Sequence, residues 1–152
     1  MKPQLGRKIL INDLGRKNYE TVLSMQKNLQ EQRIKGEIPD TLILVEHEPV
    51  YTLGKNANRD HLLQSRDKSI EVFNIGRGGD VTFHGPGQLV GYPILDLRNY
   101  KKSVSWYMRR LEELIIKVLI EFDIKGSRIK GLTGVWVNNR KIGAQGVRIS
   151  RW

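Results

Sequence analysis

The order of periodic segments along the chain is the feature that most constrains its fold. Only two stretches, residues 19–34 and 103–122, show the apolar spacing of amphipathic helices. The other patterned stretches are short and rich in β-branched or alternating residues, which predicts strands at residues 8–14, 41–46, 50–53, 69–75, 92–97, 135–137 and 141–149. Because strands and helices do not alternate regularly, the sequence predicts an α+β fold rather than a Rossmann-type parallel sheet.

The two helical patterns differ in their faces and end signals. The first is predicted to start at the N-cap Asn18 and to stop at Gly36 and Pro39. Tyr19, Val22, Met25 and Leu29 lie on one face of this helix, and Arg33 continues the same face. The second has a longer face, formed by Val104, Tyr107, Leu111, Leu114, Ile115, Val118, Leu119 and Phe122. We expect the charged residues between them to lie largely off that face, namely Arg109, Arg110, Glu112, Glu113 and Lys117.

Turn-forming residues mark the connections between the predicted strands. Six of the 15 glycines lie between Gly76 and Gly91, just before the pattern at residues 92–97. Gly126 is predicted to end the region of the second helix. The last two strands are expected to form a hairpin around Asn138, Asn139 and Arg140, which favour turns.

Length and composition exclude several classes of protein. A chain of 152 residues fits one domain, so residues 1–152 are expected to form a single unit. There is no apolar run long enough to span a membrane and no signal-peptide core near the amino terminus, which favours a cytoplasmic protein. Because the chain has no cysteine and three histidines without a close pair, neither a disulfide framework nor a metal site is predicted.

The formal net charge of +10 points to an acidic partner, although a solvated basic surface explains it equally well. The basic residues are scattered along the chain, and no helix-turn-helix or arginine-rich run supports binding of nucleic acid. We therefore expect neither a nucleic acid nor a membrane partner.

The densest chemical segment lies within the glycine-rich stretch, at residues 77–93. Gly78 and Gly79 lack Cβ atoms, so a ligand or another backbone can approach them closely. Arg77 adds a cation, and His84 adds a group that titrates near neutral pH. The chemistry alone leaves a second interpretation open, a glycine-rich strand connection with a hydrogen-bonded histidine. Gly76 and Gly78 do not form a dinucleotide-binding motif, because Val81 stands where that motif needs glycine.

Four motifs in order extend this segment over nearly the whole chain: LVEHEPVYTLG at residues 44–54, RGGDVTFHGPGQLVGYPILDL at 77–97, GLTGVWV at 131–137 and KIGAQGVRI at 141–149. Together they closely resemble the motifs of the lipoyl(octanoyl) transferases, enzymes of lipoate-cofactor assembly. The resemblance implies a mixed β-sheet flanked by helices with an acyl tunnel, the fold of biotin and lipoate protein ligases, which is class II synthetase-like. ATP-dependent lipoate ligases carry a different glycine motif, so the resemblance favours the transferase.

The resemblance also implies the reaction and its residues. In this family an octanoyl group moves from octanoyl-acyl carrier protein to a lysine of lipoyl domains, through an acyl-cysteine intermediate and without a cofactor. The acceptors are the lipoyl domains of 2-oxoacid dehydrogenases and the glycine cleavage H protein. The family's catalytic lysine matches Lys141. Its substrate-binding residues match Arg77, Gly78, Gly79, Asp80, Val81, Thr82, Phe83, His84, Ala144, Gln145 and Gly146.

The chain departs from the family in one respect. The family's cysteine lies in a Pro-Cys-Gly motif downstream of the segment that matches Lys141, and the 152 residues contain no cysteine. We therefore expect a carboxy-terminally incomplete transferase domain that carries acyl-binding residues and the lysine but is inactive alone. Two alternatives remain, a non-catalytic module that binds acyl groups or proteins, and an ATP-dependent lipoate-protein ligase. Without the resemblance, Lys141 would be interpreted as a solvent-facing lysine of a hairpin.

Overall fold

The computed structural model describes residues 8–152. The first seven residues, which belong to the stretch where no signal-peptide core was found, lie outside it. The helices and strands follow in the order β1 (Ile9–Lys17), α1 (Tyr19–Lys35), β2 (Asp40–His47), β3 (Val50–Leu53), β4 (Val72–Asn74), β5 (Val81–His84), β6 (Val90–Ile94), α2 (Val104–Ile120), β7 (Val135–Val137) and β8 (Arg140–Gly143). Neither helix in this part of the chain is long and apolar enough to cross a membrane.

The strands form three small sheets. In the first, ordered β1-β2-β6, β2 runs parallel to β1 and antiparallel to β6. In the second, ordered β4-β3-β5, β3 runs parallel to β4 and antiparallel to β5. The third is the antiparallel hairpin of β7 and β8. Two of the sheets are therefore mixed and helices pack beside them, which confirms the predicted α+β class.

Helix α1 covers the first sheet and closes the main core. Val22 of the helix packs with Ile43, Val45 and Val90, all of them buried, and Met25 lies at the edge of this cluster. Burial of a side chain of this size contributes about 1.5–3 kcal/mol, so these contacts account for much of the local stability. The apolar face predicted for α1 is confirmed.

Both predicted ends of α1 are present. Asn18 caps the first turn, since its Oδ1 accepts a hydrogen bond from the Thr21 amide at 3.1 Å. Gly36 ends the helix with a left-handed φ of 78°, a conformation that glycine adopts without strain. Arg33 belongs to the buried face because its Nε donates to Asp40 at 2.7 Å. The pair ties the last turn of α1 to the first residue of β2.

Helix α2 departs from its predicted face. Tyr107 and Leu119 are buried as expected, but Leu114 is 53% and Phe122 is 70% exposed. Glu112, predicted to face solvent, is only 1% exposed. The helix is capped at Ser103 and ends at Ile120, well before Gly126, and a turn with a left-handed Asp123 follows it.

Several strand boundaries also differ from the prediction. Strand β4 is shorter than residues 69–75, because Ser69 is held in a turn by its hydrogen bonds to Asp67. Strand β6 starts at Val90 and ends at Ile94, and a 3-10 turn capped by Asp96 replaces its predicted end. Strand β5 was not predicted as a strand. It forms inside the glycine-rich stretch, because β3 offers it a pairing edge.

The hairpin of β7 and β8 is confirmed with a tighter turn and a shorter second strand. Asn138 and Asn139 have φ values of 47° and 63°, which is typical of a two-residue turn, and Arg140 is already paired with Val137. Strand β8 ends at Gly143 rather than at residue 149. The residues beyond it leave the hairpin, and Val147 hydrogen-bonds the glycine-rich loop instead.

Candidate functional site

Four glycines from three segments bring the chain together at one place, which we call the glycine cradle: Gly54, Gly78, Gly79 and Gly146. The amide of Gly78 donates to the carbonyl oxygen of Val147 at 2.9 Å. A Cβ on Gly54 would overlap the carbonyl of Gly79, and a Cβ on Gly146 would overlap that of Gly78. Because only glycine permits these approaches, the two predicted substrate-binding stretches meet as a direct result of the sequence.

Arg77 lies beneath this cradle. Its guanidinium donates to Thr52 Oγ1 at 2.8 Å, to the Thr52 carbonyl at 3.2 Å and to the Gly78 carbonyl at 3.0 Å. Thr52 is fully buried in β3. Burial lowers the pKa of Arg77, while Tyr19, Tyr92 and Asp80 raise it, and an arginine stays charged at neutral pH. The side chain therefore fixes the shape of the loop from inside as well as adding a positive charge to it.

Asp80 fastens the other end of the loop. One carboxylate oxygen accepts from the Asn58 amide at 3.0 Å, and the other pairs with His61. The hydrogen bond from His61, followed by those from the Val81 and Asn58 amides, lowers the pKa of Asp80. Both Asp80 and His61 are exposed.

The next four residues form β5 and divide between its two faces. Thr82 pairs with Thr52 and His84 pairs with Val50, so these two side chains share a face. Val81 and Phe83 point to the opposite face, where the Phe83 ring packs 5.2 Å from that of Tyr51. The eight predicted residues of this stretch therefore cannot all line one side of a pocket.

His84 has a defined protonation pattern. Its Nδ1 lies 2.5 Å from Gln88 Oε1, and Gln88 Nε2 donates to the Phe83 carbonyl at 3.1 Å. Because an amide oxygen only accepts, Nδ1 carries the proton and Nε2 is the acceptor nitrogen. Burial, assisted by the positive charge of Arg77 and by His47, lowers the pKa of His84 against the opposing effect of Gln88. The ring is therefore neutral at pH 7.

A buried aromatic cluster supports His84, and sequence reasoning missed its tyrosines. His47 is fully buried and lies 5.7 Å from the His84 ring, while Tyr19 stacks on His84 at 6.4 Å. His47 Nδ1 donates to the Lys17 carbonyl at 3.0 Å, and its Nε2 accepts from Tyr92 Oη at 2.9 Å. Both ring nitrogens are satisfied, which indicates a structural role for His47. The position of Tyr19 on the buried face of α1 was the available signal.

Lys141 projects from β8 opposite Trp136. Its Nζ lies 5.0 Å from the centre of the Trp136 ring, a cation–π contact, although most of the side chain is exposed. Within residues 8–152, no hydrogen bond or ion pair joins Lys141 to the stretch from Arg77 to His84. The structure therefore places the predicted catalytic lysine on a different element from the glycine cradle.

Ala144, Gln145 and Gly146 form the link between Lys141 and the cradle. Ala144 is exposed, whereas the amide nitrogen and oxygen of Gln145 are both buried and lack a hydrogen-bond partner among the described residues. Gly146 packs against Gly78 and the side chain of Arg77. Over the same residues, the structure brings together no group of three histidine, aspartate or glutamate side chains that could hold a metal ion.

Comparisons with known proteins identify the family of this chain. The model of the lipoyl protein ligase A/B catalytic domain matches residues 18–152. The octanoyltransferase of Gloeobacter violaceus is 49% identical over 149 residues, covering 97% of this chain and 66% of the relative. The octanoyltransferase of Solibacter usitatus is 49% identical over 150 residues, covering 96% of this chain and 68% of the relative. The chain thus spans about two thirds of the length of these relatives.

Solved structures show the same fold at low sequence identity. The crystal structure of P. falciparum LipL1 in complex with lipoate matches with a TM-score of 0.65 and 16% identity, over 94% of this chain and 45% of that one. A lipoate-protein ligase A bound with ATP matches with a TM-score of 0.60 and 14% identity, over 90% and 58%. The predicted ligase-like fold is confirmed, and the chain belongs to the lipoyl protein ligase A/B catalytic-domain family.

Proposed function

We propose that this chain provides acyl-binding residues of an enzyme that transfers an octanoyl group from octanoyl-acyl carrier protein to a lysine of lipoyl domains. The observation that supports the proposal is the close approach of Gly146 to the Gly78 carbonyl, beside the hydrogen bond from Gly78 to Val147, because it brings together the two stretches that match the family's substrate-binding residues. The relatives named octanoyltransferase support the same reaction. We further propose the lipoyl domains of 2-oxoacid dehydrogenases and the glycine cleavage H protein as acceptors, and the cytoplasm as the location.

The proposed reaction has two acyl-transfer steps. A cysteine thiolate attacks the thioester carbonyl of the donor, the bond from carbon to the donor sulfur breaks, and a thioester on the enzyme forms. The acceptor lysine then attacks this thioester, the amide bond forms, and the cysteine leaves as a thiolate. The protonated donor thiol and the octanoyl-lysine are the products, and no oxidant, reductant or nucleotide is consumed.

Lys141 is the proposed proton carrier of this reaction. As an ammonium it favours the thiolate and gives its proton to the leaving donor sulfur, and as the resulting free amine it removes the proton from the attacking acceptor lysine, which restores the ammonium as the cysteine leaves. The neutral His84, with Nε2 as an acceptor, provides a fixed hydrogen-bonding group on the face of β5 that also carries Thr82. Arg77 holds the shape of the cradle through its hydrogen bonds to Thr52 and to the Gly78 carbonyl.

The thiol of the first step is not among the 152 residues. We therefore propose that this chain alone forms no acyl-enzyme. Intact-mass measurement after incubation with octanoyl-acyl carrier protein is expected to show an unmodified chain. An octanoyl adduct, which adds a defined mass and maps to a single residue, would contradict the cysteine-dependent mechanism.

Two further measurements separate the transferase from the alternatives. Reading the gene beyond the codon for Trp152 tests for the Pro-Cys-Gly segment, which a non-catalytic module would not need. In a version that contains this segment, Lys141→Ala is expected to abolish transfer, and near-normal turnover would remove Lys141 from the mechanism. Turnover of free octanoate that requires ATP, with no use of octanoyl-acyl carrier protein, would favour the ligase instead.

The net charge of +10 fits acidic protein partners, because opposite charges speed the encounter of two proteins. The association rate with octanoyl-acyl carrier protein is therefore expected to fall as salt is raised from low to physiological concentration. A rate that does not change with ionic strength would contradict an electrostatic contribution to this encounter.

A further inference from the structure

We infer that Glu112 of α2 is a positioning residue that holds Lys141 in place through Gly134 and Trp136, an inference that rests on the proposed catalytic role of Lys141. Glu112 was predicted to face solvent, yet it is only 1% exposed. A carboxylate in the interior is costly unless it is fully paired, so its partners indicate what it holds together.

Both oxygens of Glu112 are occupied. Oε1 accepts from the Gly134 amide at 3.1 Å. Oε2 accepts from Arg109 Nη1 at 2.7 Å and from Arg128 Nε at 2.9 Å. Burial would raise the pKa of Glu112, but the hydrogen bonds from Gly134, Arg109 and Arg128 outweigh it and lower the pKa below its ordinary value. The charged carboxylate is therefore the form that makes these contacts at neutral pH.

Through these partners Glu112 reaches β7 at two points. The first is the direct bond to the Gly134 amide, immediately before the strand. The second passes through Arg128, whose Nη2 also donates to the Arg109 carbonyl at 2.9 Å. Its neighbour Ser127 exchanges two backbone hydrogen bonds with Trp136, each of 2.8 Å. One carboxylate thus joins α2 to both ends of residues 128–134, the segment that leads into β7.

Gly134 and Trp136 form the surface on which Lys141 lies. The ammonium of Lys141 is 5.0 Å from the centre of the Trp136 ring. A Cβ on Gly134 would lie 2.8 Å from Lys141 Cε and 2.8 Å from the Gly143 carbonyl oxygen. Gly134 also has a φ of 139°, a conformation that favours glycine. Displacing Gly134 or Trp136 therefore moves the lysine.

The chemistry of the contact supports a positioning role rather than a contribution to stability alone. Apolar side chains in place of the whole charged group, Glu112 with Arg109 and Arg128, would often hold α2 against β7 at least as stably, since a buried ion pair rarely adds stability over hydrophobic contacts. Hydrogen bonds from one carboxylate to a specific amide and two guanidinium groups instead fix the distance and register of the elements that they join.

The test uses the position of Lys141 itself. Reductive methylation with ¹³C-formaldehyde labels each lysine and retains its charge, and the Trp136 ring current displaces the methyl signal of Lys141, which Lys141→Arg assigns. Glu112→Gln is expected to lose at least half of this displacement. Glu113→Gln is the matched control, because Glu113 is the next residue on α2 and, among residues 8–152, forms its ion pairs with Arg110 and Lys117 at the surface. It is expected to leave the Lys141 signal unchanged.

An unchanged Lys141 signal in folded Glu112→Gln overturns the inference. If that variant fails to fold, Arg128→Gln removes one of the hydrogen bonds to Glu112 while leaving the Gly134 bond. A partial loss of the ring-current shift of Lys141 is then expected, and an unchanged shift overturns the inference equally. In a version that contains the cysteine, Glu112→Gln should lower kcat on the order of 10- to 100-fold with little change in KM, since it misplaces a catalytic group without touching the donor.

The two claims fail in distinguishable ways. The methyl signal is measured without an acyl donor and reports only the position of the lysine, so its failure leaves the proposed function intact. Normal turnover by Lys141→Ala would overturn the proposed role of the lysine and, with it, the catalytic meaning of Glu112.

Discussion

The two helices of this protein bury their faces in different ways. Helix α1 presents Val22 and its apolar neighbours to the first sheet, and the buried ion pairs of Arg33 with Asp40 and Asp96 lie at the end of the helix. Helix α2 buries Glu112 in its middle and leaves Leu114 and Val118 about half exposed, at 53% and 47%. The first helix is held mainly by apolar area removed from water, and the second by a smaller apolar contact through Tyr107 and Leu119 together with a hydrogen-bonded carboxylate.

The difference shows what each helix does. Non-directional apolar contact is sufficient to close a core, which is the role of α1. Directional hydrogen bonds add geometric specificity, and α2 makes such a bond to Gly134, at the start of the hairpin that carries Lys141.

The largest effect is expected beneath α1. Ile43→Ala removes a fully buried side chain from the cluster around Val22 and should lower the free energy of unfolding by about 2–5 kcal/mol. Leu114→Ala on α2, which truncates a residue of similar size at an exposed position, should change it by less than about 0.5 kcal/mol. Chemical denaturation of both variants measures the difference, and equal losses would contradict the assigned core.

The second effect is expected at the buried carboxylate. Glu112→Ala leaves the Gly134 amide and two guanidinium groups without their acceptor, which should cost about 1–3 kcal/mol, since Arg109 and Arg128 can still reach water. Glu113→Ala, which loses only surface ion pairs, should cost at most about 1 kcal/mol. If the two variants unfold at the same denaturant concentration, the carboxylate does not hold α2 in place.

The third effect compares the two helix caps. Asn18→Ala removes the 3.1 Å cap of α1 and should cost about 1 kcal/mol, whereas Ser103→Ala removes the longer 3.3 Å cap of α2 and should cost less. Thermal unfolding of both variants provides the measurement. A larger loss of stability for Ser103→Ala would mean that the stability contributed by the two caps does not follow their hydrogen-bond lengths.

The smallest effect concerns acid. Because its hydrogen bonds lower the pKa of Glu112 below the ordinary 4.5, the charged form is favoured by folding. The stability that it contributes is present above the unfolded pKa and is lost as the pH falls from about 4.5 through the folded value. Glu112→Gln should therefore flatten the decline of stability below pH 4.5 relative to the unmodified chain. An unchanged slope would show that Glu112 has the same pKa in both states.

The sequence predicted most of the fold because most of it follows apolar periodicity and turn chemistry. The face of α1 with its caps Asn18 and Gly36, and the turn at Asn138 and Asn139, depend only on residues close together in the chain. Strand β5 has strand-favouring residues, but it was missed because it is only four residues long, lies between glycine-rich turns and pairs only because β3 lies beside it. Such pairing is a tertiary effect that local patterns do not contain.

The site was predicted unevenly for the same reason. The meeting of Gly78 with Gly146 and Val147 agrees with the motifs, since glycines at both places permit close backbone contact. Glu112 was misplaced because helical periodicity assigns a charged residue to solvent. Its partners Arg128 and Gly134 lie 16 and 22 residues away, beyond the reach of any local pattern.

The most direct test of the central claim measures binding at the glycine cradle. The chain is titrated with octanoyl-acyl carrier protein and with the same carrier lacking its acyl group. Gly146→Ala introduces a Cβ that would overlap the Gly78 carbonyl, while Gly91→Ala introduces one in ordinary contact with Leu42 and Leu44. If the glycine cradle binds the octanoyl group, the unmodified chain binds the octanoyl form preferentially. Gly146→Ala is expected to lose this preference and Gly91→Ala to keep it. Equal affinity of the unmodified chain for both carriers would contradict binding of the octanoyl group at the cradle.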